Sequence, residues 1–135
     1  MIHVDSSYLI DLHREQWRKR PGPAFELIES LDDRELLGLS AHVVCELRAG
    51  AEQSRNVLRE HELVDELIAG FHIAYPDDRF PGLYGRLYAA TTGQRRPVAA
   101  FDLLIATAAL LADAPLVTKN VKDFERVPGL RVLSY

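Results

Sequence analysis

A chain of 135 residues that is 47% hydrophobic and 27% charged has room for one compact domain with its own core, residues 1–135, and little room for a second. Its formal charge of −4, from 16 basic and 20 acidic residues, excludes a protein that coats nucleic acid by bulk electrostatics, though not an enzyme that gathers acids at one site and sets cations around the rim. No apolar run is long enough to span a bilayer, the first residues lack a basic and apolar leader, and the lone Cys45 rules out an internal disulfide; a cytoplasmic protein with no membrane partner is expected.

Residues 1–4 read as a strand, and 6–18 as a helix with Tyr8, Leu9 and Leu12 apolar. Pro21-Gly22-Pro23 breaks that helix, and 24–31 is a second one with Phe25, Ile28 and Leu31 on one face. A strand over 36–40 leads into a helix over 41–51, and 56–69 is helical with a stripe of Leu58, Leu63, Leu67 and Ile68. A short strand over 71–74 is closed by Tyr75-Pro76-Asp77-Asp78, a surface loop covers 79–82, and a helix covers 83–92. The segment 91–96 reads as a loop. Pro97 then suits a first helical turn, and 98–112 is a strongly apolar helix. Strands over 116–118 and 130–133 flank a short turn or helix over 120–124. Strands alternating with helices predict an α/β fold, a mostly parallel sheet of about five strands between two helical layers.

In such a sheet, ligands bind beyond the carboxyl ends of the strands. Asp5 follows the first strand, and Glu46 lies early in the helix after the second. Asp102 lies early in the helix near Pro97, and Asp123 follows the strand ending at Thr118. The topology delivers all four to one edge. Two readings stand for Asp5, a cap on the first helix or a ligand. Glu46, set among Val43, Val44 and Leu47, is either turned to solvent or held by a partner. Asp102 is the only ionisable group in a long apolar stretch. A bare buried carboxylate is costly, so a cation, a donor cluster or the helix N-terminus must compensate it. Clustered carboxylates suit Mg²⁺ or Mn²⁺ rather than zinc. The five histidines, His3, His13, His42, His61 and His72, show no ligand spacing and read as surface or half-buried residues. Phosphate-binding glycine loops and a G-x-S-x-G elbow are absent, which disfavours nucleotide binding by those routes and serine hydrolysis.

Four segments, in order, resemble the motifs of VapC-type PIN domains. They are Val4-Asp5-Ser6-Ser7-Tyr8-Leu9-Ile10, Ser40 through Glu46-Leu47-Arg48-Ala49-Gly50, Asp102-Leu103-Leu104-Ile105-Ala106-Thr107-Ala108, and Leu116-Val117-Thr118-Lys119-Asn120-Val121-Lys122-Asp123-Phe124. Any one segment is a poor signal; the ordered set is specific. The resemblance implies a three-layer PIN-like domain in which Asp5, Glu46, Asp102 and Asp123 form an acidic metal site. Ser6 and Thr118 would support it, with Asn120 nearby as ligand or orienter. Two positions depart from the pattern: Phe101 stands where many relatives place Asn, and Asn120 where some place Asp.

The same resemblance implies an Mg²⁺- or Mn²⁺-dependent endoribonuclease, the toxin of a toxin–antitoxin pair. It further implies a cognate antitoxin in a groove near the first helices, and a homodimer. A structured RNA with an exposed loop is the expected substrate, because unstacked bases can be read there. Arg95, Arg96, Lys119 and Lys122 are the candidate phosphate contacts. Arg14, Arg18, Lys19 and Arg20 form a further basic cluster that also suits a helix C-terminus. The competing readings are a catalytically silent PIN-like module that binds RNA or protein, and a nuclease directed at DNA.

Overall fold

The central strand of the sheet is built from Ile2, His3 and Val4, all buried, because it is paired on both sides and covered on both faces. The computed structural model describes all residues, 1–135. Its elements in chain order are β1 (Ile2–Val4), α1 (Ser6–Trp17), α2 (Pro23–Ser30), β2 (Leu37–Ser40), α3 (Ala41–Glu52), α4 (Val57–Ile68), β3 (His72–Ala74), α5 (Phe80–Thr92), α6 (Ala100–Leu111), β4 (Leu116–Val117), α7 (Val121–Phe124) and β5 (Val132–Leu133). The five strands run in the order β3-β2-β1-β4-β5, and every pairing is parallel. Parallel crossovers are right-handed, so the passes from β1 to β3 and the return to β4 cover opposite faces of the sheet. No helix is long and apolar enough to cross a membrane.

The chain leaves β1 toward β2 on one side and takes β4 on the other. The crevice where strand order reverses therefore opens beyond the carboxyl ends of β1 and β4. Asp5 and Thr118 are the first residues past those ends. Short polar caps start the helices that rise from this edge. Asp5 caps α1 by accepting from the Tyr8 amide, and Ser40 caps α3 by accepting from the Val43 amide. The entry of α2 has another device. Both Glu15 oxygens accept its amides, from Ala24 at 3.1 Å and Phe25 at 2.7 Å. A Cβ at Gly22 would stand 2.4 Å from Glu15 Oε1, so a larger residue there would displace that carboxylate from the α2 amides.

Several sequence expectations need correction. The loop over 79–82 is in fact the first turn of α5, because Pro81 is tolerated where an amide hydrogen has no helical partner. Phe80 is buried in that turn and stacks on His42. Thr91 and Thr92 belong to the same helix; the buried Thr91 hydroxyl donates back to the Leu87 carbonyl at 2.9 Å. Conversely, α6 starts at Ala100 and not near Pro97, since Ala99 is extended. His3 is neither surface nor half-buried: it lies inside β1, and burial with the charges of His72 and the N-terminus pushes its pKa down to about 4.

Candidate metal centre

Asp5 is only 3% exposed, and three hydrogen-bond donors meet its carboxylate. Oδ1 accepts from the Ser7 hydroxyl at 2.6 Å and from the Tyr8 amide at 3.2 Å. Oδ2 accepts a short hydrogen bond from the Thr118 hydroxyl, which reaches across from the end of β4. Thr118 is buried as well, and its oxygen accepts from the Asn120 amide at 2.9 Å, so the turn after β4 is tied to the same hub. The cap reading of Asp5 is therefore met by one oxygen, while the other is tied to the end of β4.

The other acids are held more loosely. Glu46 is exposed despite its apolar neighbours in sequence, and the Ser6 hydroxyl donates to its Oε2 at 2.7 Å. Asp123 is exposed on α7 and pairs with Arg126, one helical turn on, at 3.0 Å. Asp102 sits half-buried in the first turn of α6, with no hydrogen-bond donor to its side chain. Burial, and then the carboxylates of Asp123, Glu46 and Asp5, raise its pKa above the ordinary carboxylate value, while Arg126 acts in the opposite direction. Asp102 thus lies within electrostatic reach of residues 5, 46 and 123.

No three acidic, histidine or cysteine side chains stand close enough to enclose an ion directly. Each carboxylate but Asp102 is drawn toward a hydroxyl, an amide or Arg126 instead. The donor set is nonetheless all oxygen and strongly anionic. It fits a hard divalent ion that keeps several of its waters, as Mg²⁺ does, better than a dehydrated one.

The supporting residues divide. Ser6 and Thr118 contact site acids, whereas Asn120 contributes its backbone amide and leaves its side chain exposed. Arg95 and Arg96 are exposed in the loop between α5 and α6, without an ion pair to the acids. Gln94 ties that loop to the segment after α7, by donating to the Arg126 carbonyl at 3.2 Å. Lys122 is exposed on α7, and Lys119 turns away to pair with Asp11. Sequence reasoning missed Ser7 and Arg126. The Asp-x-Ser spacing signals the first, and the three-residue interval from Asp123 on a helix signals the second.

The chain matches the PIN domain family over residues 2–130. It is 31% identical to Ribonuclease VapC1 of Haemophilus influenzae (strain R2866) over 114 residues, 84% of this chain and 85% of that one. With the tRNA(fMet)-specific endonuclease VapC of Shigella flexneri it shares 32% identity over 93 residues, 69% of this chain and 70% of the other. Among solved structures, VapBC-1 from nontypeable Haemophilus influenzae aligns with a TM-score of 0.86 at 29% identity, covering 99% of this chain and 98% of that chain.

Proposed function

This chain belongs to the PIN-domain family, and from that premise we propose that it is a divalent-metal-dependent endoribonuclease acting as one catalytic domain. It is the toxin partner of an antitoxin, in keeping with its VapC relatives and its VapBC structural neighbour. The observation that carries the catalytic reading is the mutual repulsion at Asp102 from Asp123, Glu46 and Asp5. Four carboxylates from four distant segments that act on one another at a topological switch point gain from a cation, Asp102 most of all because it has no donor.

Asp5, Asp102, Glu46 and Asp123 are the residues that would hold Mg²⁺ or Mn²⁺, in part through water. When bound, such an ion supplies Lewis-acid stabilisation of charge on the phosphate and favours ionisation of water. The chain's own groups do the positioning. Thr118, Ser7 and the Tyr8 amide lock the Asp5 carboxylate in one orientation. Ser6 holds Glu46 by one oxygen, leaving the other free to take a proton from a water attacking phosphorus. In that displacement the new bond runs from water oxygen to phosphorus, and the bond to the leaving ribose oxygen breaks. Arg126 offsets part of the negative charge beside Asp102 and Asp123.

The substrate is RNA, in our reading a structured one cut at an exposed loop, which places the protein in the cytoplasm with its exposed Cys45 reduced. A cavity of about 510 Å³ between α1, α3 and α4, lined by Ile10, Leu47, Leu63, Val64 and Leu67, offers an apolar seat for the antitoxin. A second copy would cover exposed apolar side chains such as Tyr88 on α5 and Phe101 on α6. The test offers RNA and DNA at equal salt with Mg²⁺, Mn²⁺ or chelator, and measures Mn²⁺ binding by calorimetry. Metal-dependent cleavage of RNA, lost in Asp102→Asn, is expected. Absence of both cleavage and Mn²⁺ binding would establish a silent binding module instead, and preference for DNA would overturn the substrate.

A further inference from the structure

Beside the carboxylates lies a second charged concavity of opposite sign. It encloses about 460 Å³ and is lined by Arg14, Arg18, Arg20 and Lys119 together with Asp11 and Glu15. We propose that this cavity is a backbone-phosphate subsite, which holds RNA phosphates flanking the bond that is cut; the inference rests on the nuclease reading above.

Both acids in the cavity are already engaged. Glu15 gives its two oxygens to the Ala24 and Phe25 amides that open α2. Asp11 pairs with Lys119, accepts the Tyr135 hydroxyl at 2.7 Å, and has Arg14 at 3.8 Å. Arg18 and Arg20 have no carboxylate partner and are exposed, so the cavity carries two uncommitted guanidinium groups in a chain of net charge −4. Their placement is built into the backbone. Lys19 between them adopts φ +52°, the left-handed region that side-chain-bearing residues seldom occupy, and the following Arg20 amide bonds back to the Glu15 carbonyl at 3.1 Å. That reversal leaves Lys19 outside the lining while Arg18 and Arg20 both contribute to it.

Continuity with the carboxylates identifies the occupant. Lys119 follows Thr118, which donates to Asp5, and the Lys119 amide donates to Ser7 Oγ, which itself donates to Asp5. One residue therefore belongs to the acidic site by its main chain and to the cationic cavity by its side chain. Because Lys119 joins the two places, a strand with one phosphate at the carboxylates brings neighbouring phosphates on one side toward this wall. The acidic cluster repels those neighbours; guanidinium groups, which bind phosphate in a fork, attract them.

The experiment measures binding of a short fluorescein-labelled single-stranded RNA by polarisation across a salt series. It uses full-length Asp102→Asn without divalent ion, so that cleavage plays no part in the readout. Each phosphate contact contributes roughly 0.7 to the slope of log affinity against log salt for a single strand. Adding Arg18→Ala and Arg20→Ala should weaken binding and lower that slope by about 1.4. The pair Arg18→Lys and Arg20→Lys should keep most of the slope. Removing two exposed cations elsewhere, Arg55→Ala with Arg86→Ala, should change it much less. An unchanged slope in the Arg18/Arg20 alanine pair overturns the subsite, as does an equal effect from the Arg55/Arg86 pair. Loss of binding to an acidic protein segment with RNA binding intact would reassign the cavity to a protein partner. If the parent chain fails to cut RNA while the slope behaves as expected, the nuclease reading fails, and the cavity remains a site for RNA backbone phosphates but not one that flanks a cleaved bond.

Discussion

Asp5 and Asp102 are the same residue type at the same edge of the sheet, yet the fold treats them in opposite ways. Asp5 is buried and receives two hydroxyls and an amide, so its charge is compensated by the protein alone. Asp102 is half-buried, receives no donor, and faces three other carboxylates. One acid is a structural joint between α1 and the end of β4; the other is held in a state that an external cation would relieve. A third group completes the series. His3, on β1 two residues before Asp5, is buried with Nε2 unpartnered, and it remains neutral instead of charged. Partners, not burial alone, decide whether a buried ionisable group keeps its charge.

The comparison is broken most directly at Asp102. Asp102→Asn should lower RNA cleavage by at least about a hundredfold, more than loss of an outer partner in a metal site usually costs. The same change should raise the melting temperature of the chelator-treated protein at neutral pH. A carboxyl whose folded pKa is raised binds a proton more readily when folded, so its contribution to stability falls as pH rises through that window. Asparagine removes the penalty. Loss of stability in this variant would mean that Asp102 is compensated after all.

Asp5→Ala should be destabilising as well as inactive. It deletes the cap on α1 and strands the Ser7 and Thr118 hydroxyls, at a cost of about 2–4 kcal/mol by urea unfolding. His3 gives a pH signature of opposite sign to Asp102. Its folded pKa of about 4 lies below the ordinary 6.5. Its neutral burial is fully tolerated above pH 6.5, and stability is lost progressively as pH falls toward 4, by up to about 3 kcal/mol. His3→Leu should flatten that part of the pH–stability curve, whereas an unchanged curve would place the acid sensitivity elsewhere. Thr118→Val sharpens the contrast at smaller scale, with about 1–2 kcal/mol lost because Asp5 Oδ2 and the Asn120 amide each lose a partner. Ser6→Ala should be the mildest change. Its bond to Glu46 is exposed, so stability should move by no more than about 0.5 kcal/mol, and a several-fold fall in cleavage would come from loss of Glu46 orientation.

Much of this was legible in the residues themselves. Element type and order follow from hydrophobic period and from Pro-Gly punctuation, and strand–helix alternation calls for a parallel sheet. That sheet in turn sends Asp5, Glu46, Asp102 and Asp123 to one edge. Helix starts near proline were the weak point. Pro81 is the second residue of α5 and Pro97 precedes α6 at a distance, because packing of Phe80 and the extended Ala99, not the proline itself, sets each start.

Tertiary structure alone decided which acid is compensated and which is left exposed to its neighbours' charge. The Thr118–Asp5 bond joins residues 113 apart, and no local propensity reports on such a pair. The cationic cavity arises the same way: Arg18 and Arg20 look like ordinary basic residues at a helix end until the left-handed turn at Lys19 and the approach of Lys119 set them around one space. Periodicity encodes what each segment can become, whereas charge compensation depends on distances between segments that exist only after the sheet has assembled.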